Sequence, residues 1–254
     1  MARPLAGVAV LVTRPAERAG GLAAVLERRG ARVVHSPVIE IRPVASSRAP
    51  EPGRYDLLLF VSPAAVEHGG RLAAGADAPP VGAVGPGTAA ALAERGIDTA
   101  ILARTSNDSE GLLAHPALAG ERVAGRRVLI VRGEGGRPHL GEQLMARGAT
   151  VDYAEVYRRS RPTALDPAAP AACDIVTLTS NEGAQNLLAL VDATTRRALL
   201  QRPVAVASER TARRARELGF AGPVEVAGGA DDDTMGRAVV HLHERCRQAD
   251  PGPA

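Results

Sequence analysis

The chain repeats itself. Leu11-Val12-Thr13-Arg14 returns as Leu129-Ile130-Val131-Arg132, and Gly30-Ala31 returns as Gly148-Ala149, both 118 residues on. Asp56 and Ser62 recur at the same offset as Asp174 and Ser180. Towards the C-terminus the offset widens, so that Thr88 matches Thr211 and Gly96 matches Gly219, each 123 residues on. A period of this length is too large for a solenoid and fits a duplicated lobe. Two lobes of one ancestry are expected to face each other across a ligand-binding cleft.

Within 254 residues the duplication favours two modest domains over one large one. Aromatic residues make up only 2% of the chain, so the cores must be built from Ala, Val and Leu. No apolar run is long enough for a membrane span. Met1-Ala2-Arg3-Pro4 opens directly into a strand-like stretch without the apolar core of a signal peptide. Cys173 and Cys246 lie far apart and in no metal-ligand spacing. This usage reads as a cytoplasmic protein with free thiols. The chain contains no lysine, and its 31 basic side chains other than His are all Arg. Abundant Ala, Arg, Gly and Pro point to a GC-rich coding sequence as the cause. Arg also clamps carboxylates bidentately, which Lys cannot do. A net charge of +3 and the lack of basic blocks interleaved with aromatics argue against a nucleic-acid partner.

Short apolar, β-branched runs alternate with Ala/Leu/Arg-rich stretches of helical character. The expected strands are Val8–Thr13, Arg32–His35, Leu57–Val61, Val81–Val84 and Thr99–Leu102, then Arg127–Val131, Thr150–Val156, Ile175–Thr179, Val204–Ala207 and Val224–Ala227. The expected helices are Ala16–Arg29, Pro63–Ala74, Pro86–Arg95, Ser109–His115, Arg137–Arg147, Glu182–Val191, Glu209–Leu218 and Asp232–Gln248. This rhythm predicts an α/β fold with parallel sheets covered by helices on both faces. Fully apolar strands such as Leu57-Leu58-Leu59-Phe60 agree, because a parallel sheet is buried on both sides. Four of the helices run into Gly30, Gly96, Gly148 and Gly219, the residue type that ends a helix in the left-handed region.

Two Pro-bearing segments, Pro37–Pro43 and Glu155–Pro162, break the rhythm at matched places and read as extended connectors between lobes. Loose Ala/Pro stretches follow both, at Ala45–Pro52 and Thr163–Ala172, and the tail Ala249–Ala254 is expected to be disordered.

In parallel α/β sheets, ligands gather at the carboxyl ends of the strands, where helix N-termini present free N–H groups. The repeated motifs fall at such ends. Val61-Ser62-Pro63 places a hydroxyl at an N-cap and Pro at the first helical position, and its copy is Thr179-Ser180-Asn181-Glu182-Gly183. Val84-Gly85-Pro86-Gly87-Thr88 and Ala207-Ser208-Glu209-Arg210-Thr211 form a second pair of strand-to-helix turns. Arg14-Pro15 and Arg132-Gly133-Glu134-Gly135-Gly136-Arg137 form the third. Singly, each hydroxyl is a helix cap; together they outline a rim suited to carboxylates.

Other chemistries lack their residues. Gly85-Pro86-Gly87 only loosely mimics a dinucleotide fingerprint, and its copy has no glycines. Without Lys there is no Walker loop. Asp231-Asp232-Asp233 reads as an acidic helix start rather than a Mg²⁺ site, and His241 and His243 do not share a helix face. No nucleophile elbow or Cys–His pair stands out. The chain has no obvious covalent or metal-assisted machinery.

Taken in order and spacing, these motifs resemble the bacterial uroporphyrinogen-III synthases. The resemblance rests on Leu11–Pro15, Gly30–Val33, Pro37–Ile41, Phe60–Val66, Ala83–Ala89, Ser109–Leu113, Leu129–Arg137, Val156–Arg159 and Thr179–Gly183, and covers roughly Val8 to His243. It implies two similar flavodoxin-like lobes with interleaved topology. Residues 1–36 and 164–254 would form lobe 1, residues 44–154 lobe 2, and residues 37–43 and 155–163 a two-stranded hinge. The implied reaction is closure of hydroxymethylbilane, a linear tetrapyrrole bearing eight carboxylates, to uroporphyrinogen III. Water is lost and ring D is inverted through a spiro intermediate, without cofactor or metal.

The resemblance assigns Tyr157 to assist the leaving hydroxyl. It assigns Ser62, Thr88, Ser180 and Thr211 to the substrate, with Arg14, Pro63, Gly85, Arg132, Gly133 and Asn181 as further contacts. Ala64 stands where many members of the family carry Asn, and Ser208-Glu209-Arg210 replaces a commoner Gly-containing turn. The expected partner is the small-molecule substrate alone, acting on a monomer, with neither nucleic acid nor membrane. The alternative is a non-catalytic two-lobe protein that binds a tetrapyrrole or another small ligand.

Overall fold

A computed structural model describes residues 3–44, 50–75, 78–103, 106, 108–166 and 168–249. Most of the Ala45–Pro52 stretch and all but the first residue of the Ala249–Ala254 tail lie outside the described residues. The strands are β1 (Ala9–Val12), β2 (Arg32–His35), β3 (Glu40–Pro43), β4 (Leu57–Phe60), β5 (Val81–Ala83), β6 (Ile101–Leu102), β7 (Arg127–Gly133), β8 (Thr150–Ser160), β9 (Ile175–Leu178), β10 (Val204–Val206) and β11 (Val224–Val226). The helices are α1 (Gly20–Arg28), α2 (Pro63–Gly69), α3 (Pro86–Ala93), α4 (Ser109–Leu113), α5 (Gly120–Val123), α6 (His139–Ala146), α7 (Ala168–Ala171), α8 (Asn181–Leu190), α9 (Ala193–Leu199), α10 (Glu209–Glu217) and α11 (Asp232–Ala249).

The chain divides into two units. One combines Met1–Glu40 with Ser160–Ala254; the other is the continuous segment Ile41–Arg159. The first holds a five-stranded sheet in the order β11-β10-β9-β1-β2, and the second a six-stranded sheet in the order β3-β8-β7-β4-β5-β6. Under the repeat, β7, β8, β4, β5 and β6 correspond to β1, β2, β9, β10 and β11. The two orders therefore coincide, and β3 is an added edge in the second sheet.

Register follows as well. Ala9 faces Arg32 and Val10 faces Ile175 in one sheet; Arg127 faces Thr150 and Val128 faces Leu57 in the other, all parallel and all displaced by 118. The repeated aspartates fix this register. Asp174 accepts from the Ala9 N–H at 2.8 Å and donates its own N–H to the Ala9 carbonyl at 2.8 Å. Asp56 and Arg127 make the same exchange, both bonds again 2.8 Å. The first residue of each central strand is thereby locked to its neighbour.

Both faces of the Ile41–Arg159 sheet are covered, which is why β4 is apolar at every position. Leu57 and Leu59 join Val128, Ile130, Leu140 and Leu144 on one side. Leu58 and Phe60 join Leu129, Val131, Ala65 and Leu92 on the other. Each of the larger side chains, Val, Leu, Ile and Phe, contributes about 1.5–3 kcal/mol through removal from water. In the other unit, Val10, Val12 and Ile175 pack beneath Leu22 and Leu26 of α1 and Val239 and Leu242 of α11.

The helices end as their sequences demand. Gly30 and Gly148, the copies that follow α1 and α6, have φ values of 94° and 87°, a region closed to most side chains. Both Pro-bearing connectors are extended, as expected, and both form strand that the expected set omits or cuts short. The Pro37–Pro43 connector contains a strand, β3, whose polar Glu-Ile-Arg-Pro sequence hides it. The Glu155–Pro162 connector is largely the end of β8, which runs four residues beyond the expected Thr150–Val156 to Ser160 and reaches 11 residues.

Candidate active site

The carboxyl edge of the Ile41–Arg159 sheet opens into a cavity of about 370 Å³. Three strand ends and one strand supply its walls: Val61-Ser62 after β4, Val84 after β5, Arg132–Arg137 at and after the end of β7, and Tyr153, Tyr157 and Arg159 within β8. Asp108 and Ser109, at the start of α4, close a further side.

Ser62 caps α2. Its backbone is extended, and its Oγ accepts from the Ala65 N–H at 3.1 Å, with Pro63 at the first helical position. The same Oγ lies 3.1 Å from the hydroxyl of Tyr157. Tyr157 reaches this point through a bulge in β8. Arg132 faces Glu155, but Gly133 faces Tyr157, so Val156 has no opposite number on β7. In a regular strand Tyr157 would share the face of Tyr153 and Glu155. The extra residue turns it instead to the face of Phe60, Val66 and Val131, where it is 4% exposed. Its ring lies 6.2 Å from that of His68, centre to centre. Gly133 provides the clearance: a Cβ there would lie 2.6 Å from the Tyr157 ring.

Arg132 is held on every side. Its guanidinium stacks on the Tyr153 ring at 3.8 Å, donates to Glu155 at 3.0 Å and to the Gly136 carbonyl at 3.1 Å. Its Nε is buried without a partner. Arg137 and Arg159 also line the cavity and are exposed; among the described residues neither makes an ion pair. Asp108 caps α4, accepting from the Ser106 hydroxyl and, at 2.9 Å, from the Gly111 N–H. These two bonds, the Ser106 hydroxyl first, hold its carboxyl below the ordinary range.

Of the residues nominated from the sequence, this unit brings Ser62, Arg132, Gly133 and Tyr157 to one cavity. Pro63, Gly85 and Thr88 sit at the starts of α2 and α3, with Gly85 the cap of α3 and Thr88 buried in its first turn. Tyr153 and Asp108 stand in none of the motifs read from the sequence, and Ser109, Arg137 and Arg159 stand in them without an assigned role. Asp108 carries the one readable signal, an acidic cap ahead of Glu110 and an apolar pair.

The other unit repeats the turns with different side chains. Ser180 caps α8 by accepting from the Gly183 N–H at 3.0 Å, and Asn181 follows it with a buried, unpartnered Oδ1. Ser208 caps α10, and its Oγ lies 3.1 Å from the Thr211 hydroxyl. Arg14, nominated as a substrate contact, already has protein partners here. It is 8% exposed, ion-paired to Asp232 and bonded to the Ala230 carbonyl at 2.6 Å. Its role there is to tie the turn after β1 to the start of α11. Asp231 caps that helix, its Oδ1 accepting from the Thr234 N–H at 2.9 Å.

Among the described residues no group of three or more His, Cys, Asp or Glu is placed to hold a metal ion. No helix among them is long and apolar enough to cross a membrane.

Comparison with known proteins places these features in context. A family profile described as uroporphyrinogen-III synthase HemD matches residues 21–227. The uroporphyrinogen-III synthase of Escherichia coli is 34% identical over 249 residues, covering 91% of this chain and all of that protein. That of Salmonella typhimurium is 41% identical over 138 residues, 52% of this chain and 54% of that protein. Among solved structures, the uroporphyrinogen-III synthetase of Helicobacter pylori aligns with a TM-score of 0.59 at 16% identity, over 92% of this chain and 99% of that one. A mutant uroporphyrinogen III synthase from Thermus thermophilus aligns with a TM-score of 0.53 at 19% identity, over 96% and 100%. At such identities the structures speak for the fold alone.

Proposed function

The chain belongs to the uroporphyrinogen-III synthase family, and from that membership we propose that the cavity at the carboxyl edge of the Ile41–Arg159 sheet serves its reaction. The protein is a lyase that cyclises hydroxymethylbilane to uroporphyrinogen III, with loss of water and inversion of ring D.

The chemistry asks little of side chains and much of geometry. Departure of the terminal hydroxyl leaves an azafulvene cation. The already substituted carbon of ring D attacks it, and the resulting spiro intermediate reopens by breaking that carbon's bond to the ring C methylene, which then bonds to the free carbon on the other side of the ring D nitrogen. Unassisted closure at the free carbon gives the uninverted isomer, so holding the chain in the folded geometry is the main contribution. A proton donor beside the departing oxygen adds about 10²–10⁴-fold.

The observation that carries the site reading is the Tyr157 hydroxyl, held against Ser62 in a cavity rimmed by guanidinium groups and helix starts. In this reading Tyr157 is the proton donor. Ser62 supports Tyr157 from the start of α2, and Pro63, Gly85, Thr88, Gly133 and the main-chain amides near them receive the substrate. Ser180, Asn181 and Thr211 form the corresponding set in the other unit. Arg132 and Arg14 brace the two rims, since their guanidinium groups already have partners.

The domain reading has residues 1–36 with 164–254 as one lobe, 44–154 as the other, and 37–43 and 155–163 as connectors. Passage of the chain between units at Glu40/Ile41 and Arg159/Ser160 supports it. A cytoplasmic location is in keeping with the unpaired Cys173 and Cys246.

The experiment is isomer analysis of the product from hydroxymethylbilane, with wild type and Tyr157→Phe compared. Wild type is expected to give the type III isomer in excess. Tyr157→Phe is expected to lower kcat by about 10²-fold while retaining the fold. Unchanged kcat in Tyr157→Phe would remove Tyr157 from the mechanism.

A further inference from the structure

We infer that Ser62 is a positioning residue that donates its hydroxyl proton to the Tyr157 oxygen and so leaves the phenolic proton for the substrate. The inference rests on the reading of Tyr157 as proton donor. It adds a direction to a hydrogen bond whose length alone does not give one.

A serine hydroxyl has one proton and two lone pairs. One lone pair of Ser62 is taken by the Ala65 N–H at 3.1 Å. The contact with Tyr157, also 3.1 Å, can run either way. If Tyr157 donated to Ser62, the phenolic proton would be spent on the protein and could not reach a leaving group. If Ser62 donates, both of its roles are met at once, and the Tyr157 proton points at the cavity. The N–H that polarises Ser62 also strengthens its hydroxyl as a donor, because hydrogen bonds in a chain reinforce one another.

The arrangement gains value as the reaction proceeds. The bond between the terminal methylene carbon and its oxygen breaks with the electron pair leaving on oxygen. That oxygen takes the Tyr157 proton and departs as water, and the pyrrole nitrogen supplies the electrons that form the azafulvene cation. Negative charge then grows on the Tyr157 oxygen, where the Ser62 O–H already points. On final closure, the proton expelled from the free ring carbon restores the phenol, so protons balance over the cycle.

The repeat offers an internal control. Ser180 occupies the place of Ser62 in the other unit and makes the same cap, to Gly183 at 3.0 Å. The residue displaced by 118 from Tyr157 is Ile39, which has no hydroxyl and is 8% exposed. Only the Ile41–Arg159 unit therefore couples the capping serine to a phenol.

The test compares Ser62→Gly, Ser62→Thr and Tyr157→Phe. Glycine serves almost as well as serine at an N-cap, so Ser62→Gly removes the donor with little change in Tm. Its kcat is expected to fall about 10²-fold, the loss typical of removing one donor to a developing oxyanion, with KM within about threefold. Threonine keeps both cap and donor and is expected to restore most of kcat. In the Tyr157→Phe background, Ser62→Gly is expected to cost nothing further in kcat. Wild-type kcat in Ser62→Gly, a Thr variant as slow as Gly, or additive losses in the double variant would overturn the inference. Full activity in Tyr157→Phe would instead overturn the reading beneath it. If Ser62→Gly fails to fold, Ser62→Ala, alone and in the Tyr157→Phe background, removes the same donor and is read by the same outcomes.

Discussion

The guanidinium of Arg14 and the carboxylate of Asp232 meet inside the unit formed by Met1–Glu40 and Ser160–Ala254, although 218 positions separate them in the chain. Gly21 of α1 makes room for the pair, since a Cβ there would fall 1.9 Å from an Asp232 oxygen. Removing Arg14 leaves Asp232 and the Ala230 carbonyl without their donor. Arg14→Ala is expected to cost about 2 kcal/mol of stability, read as a drop in Tm of about 5 °C. Unaltered Tm would show that α11 is held by its apolar face alone.

Asp56 and Asp174 make equivalent bonds in the two sheets, so their removal should have equivalent costs. Each Asp→Ala change is expected to destabilise by about 1–2 kcal/mol in denaturant titrations. The double variant should be additive, because the two sites share no partner. A marked inequality between them would mean that one of the two bonds does not persist in solution.

Gly133→Ala places a methyl group 2.6 Å from the Tyr157 ring, and neither strand can yield without disturbing the bulge. Turnover is expected to fall at least about tenfold through displacement of the hydroxyl, with a smaller effect on Tm. Normal turnover would place the reacting atoms away from Tyr157.

Cys173 is 1% exposed, and burial pushes its thiol up to about 11. The folded state thus holds the proton more tightly than the unfolded one. Below about pH 9 this makes no difference; between 9 and about 11 the unfolded thiol ionises first, and stability falls as pH rises. Two measurements check this. Cys173 should resist thiol reagents in the native protein at pH 8, and Cys173→Ala should lose less stability than wild type between pH 9 and 11.

Most strands were legible because a parallel sheet covered on both sides needs uninterrupted apolar runs, and Leu57–Phe60 or Ile175–Leu178 admit no other reading. Elements set by context were not. In β3, Glu-Ile-Arg-Pro has the polarity of a connector and becomes a strand only because β8 offers an edge. In α9, Ala193–Leu199 buries only Leu199 and shows no apolar stripe; its signal was the Asp192 cap. The bulge at Val156 left no mark, since an apolar residue suits either face. For the same reason the sequence could nominate Tyr157 and Ser62 separately but not show them in contact. Arg137, Arg159 and Tyr153 come to the cavity through loop and strand geometry that no spacing encodes.

The interleaving of the two units has a consequence for synthesis on the ribosome. β1 lies at the middle of its sheet, flanked by β2 and β9, yet β9 emerges only after the whole of Ile41–Arg159. The nascent chain therefore carries an apolar hairpin-sized fragment with one raw edge while a complete neighbour is being finished behind it. Two strands alone are marginal in water. That fragment must wait, shielded or unfolded, for more than half the message to be read, and the order of maturation is imposed by the wiring of the fold rather than by the strength of either core.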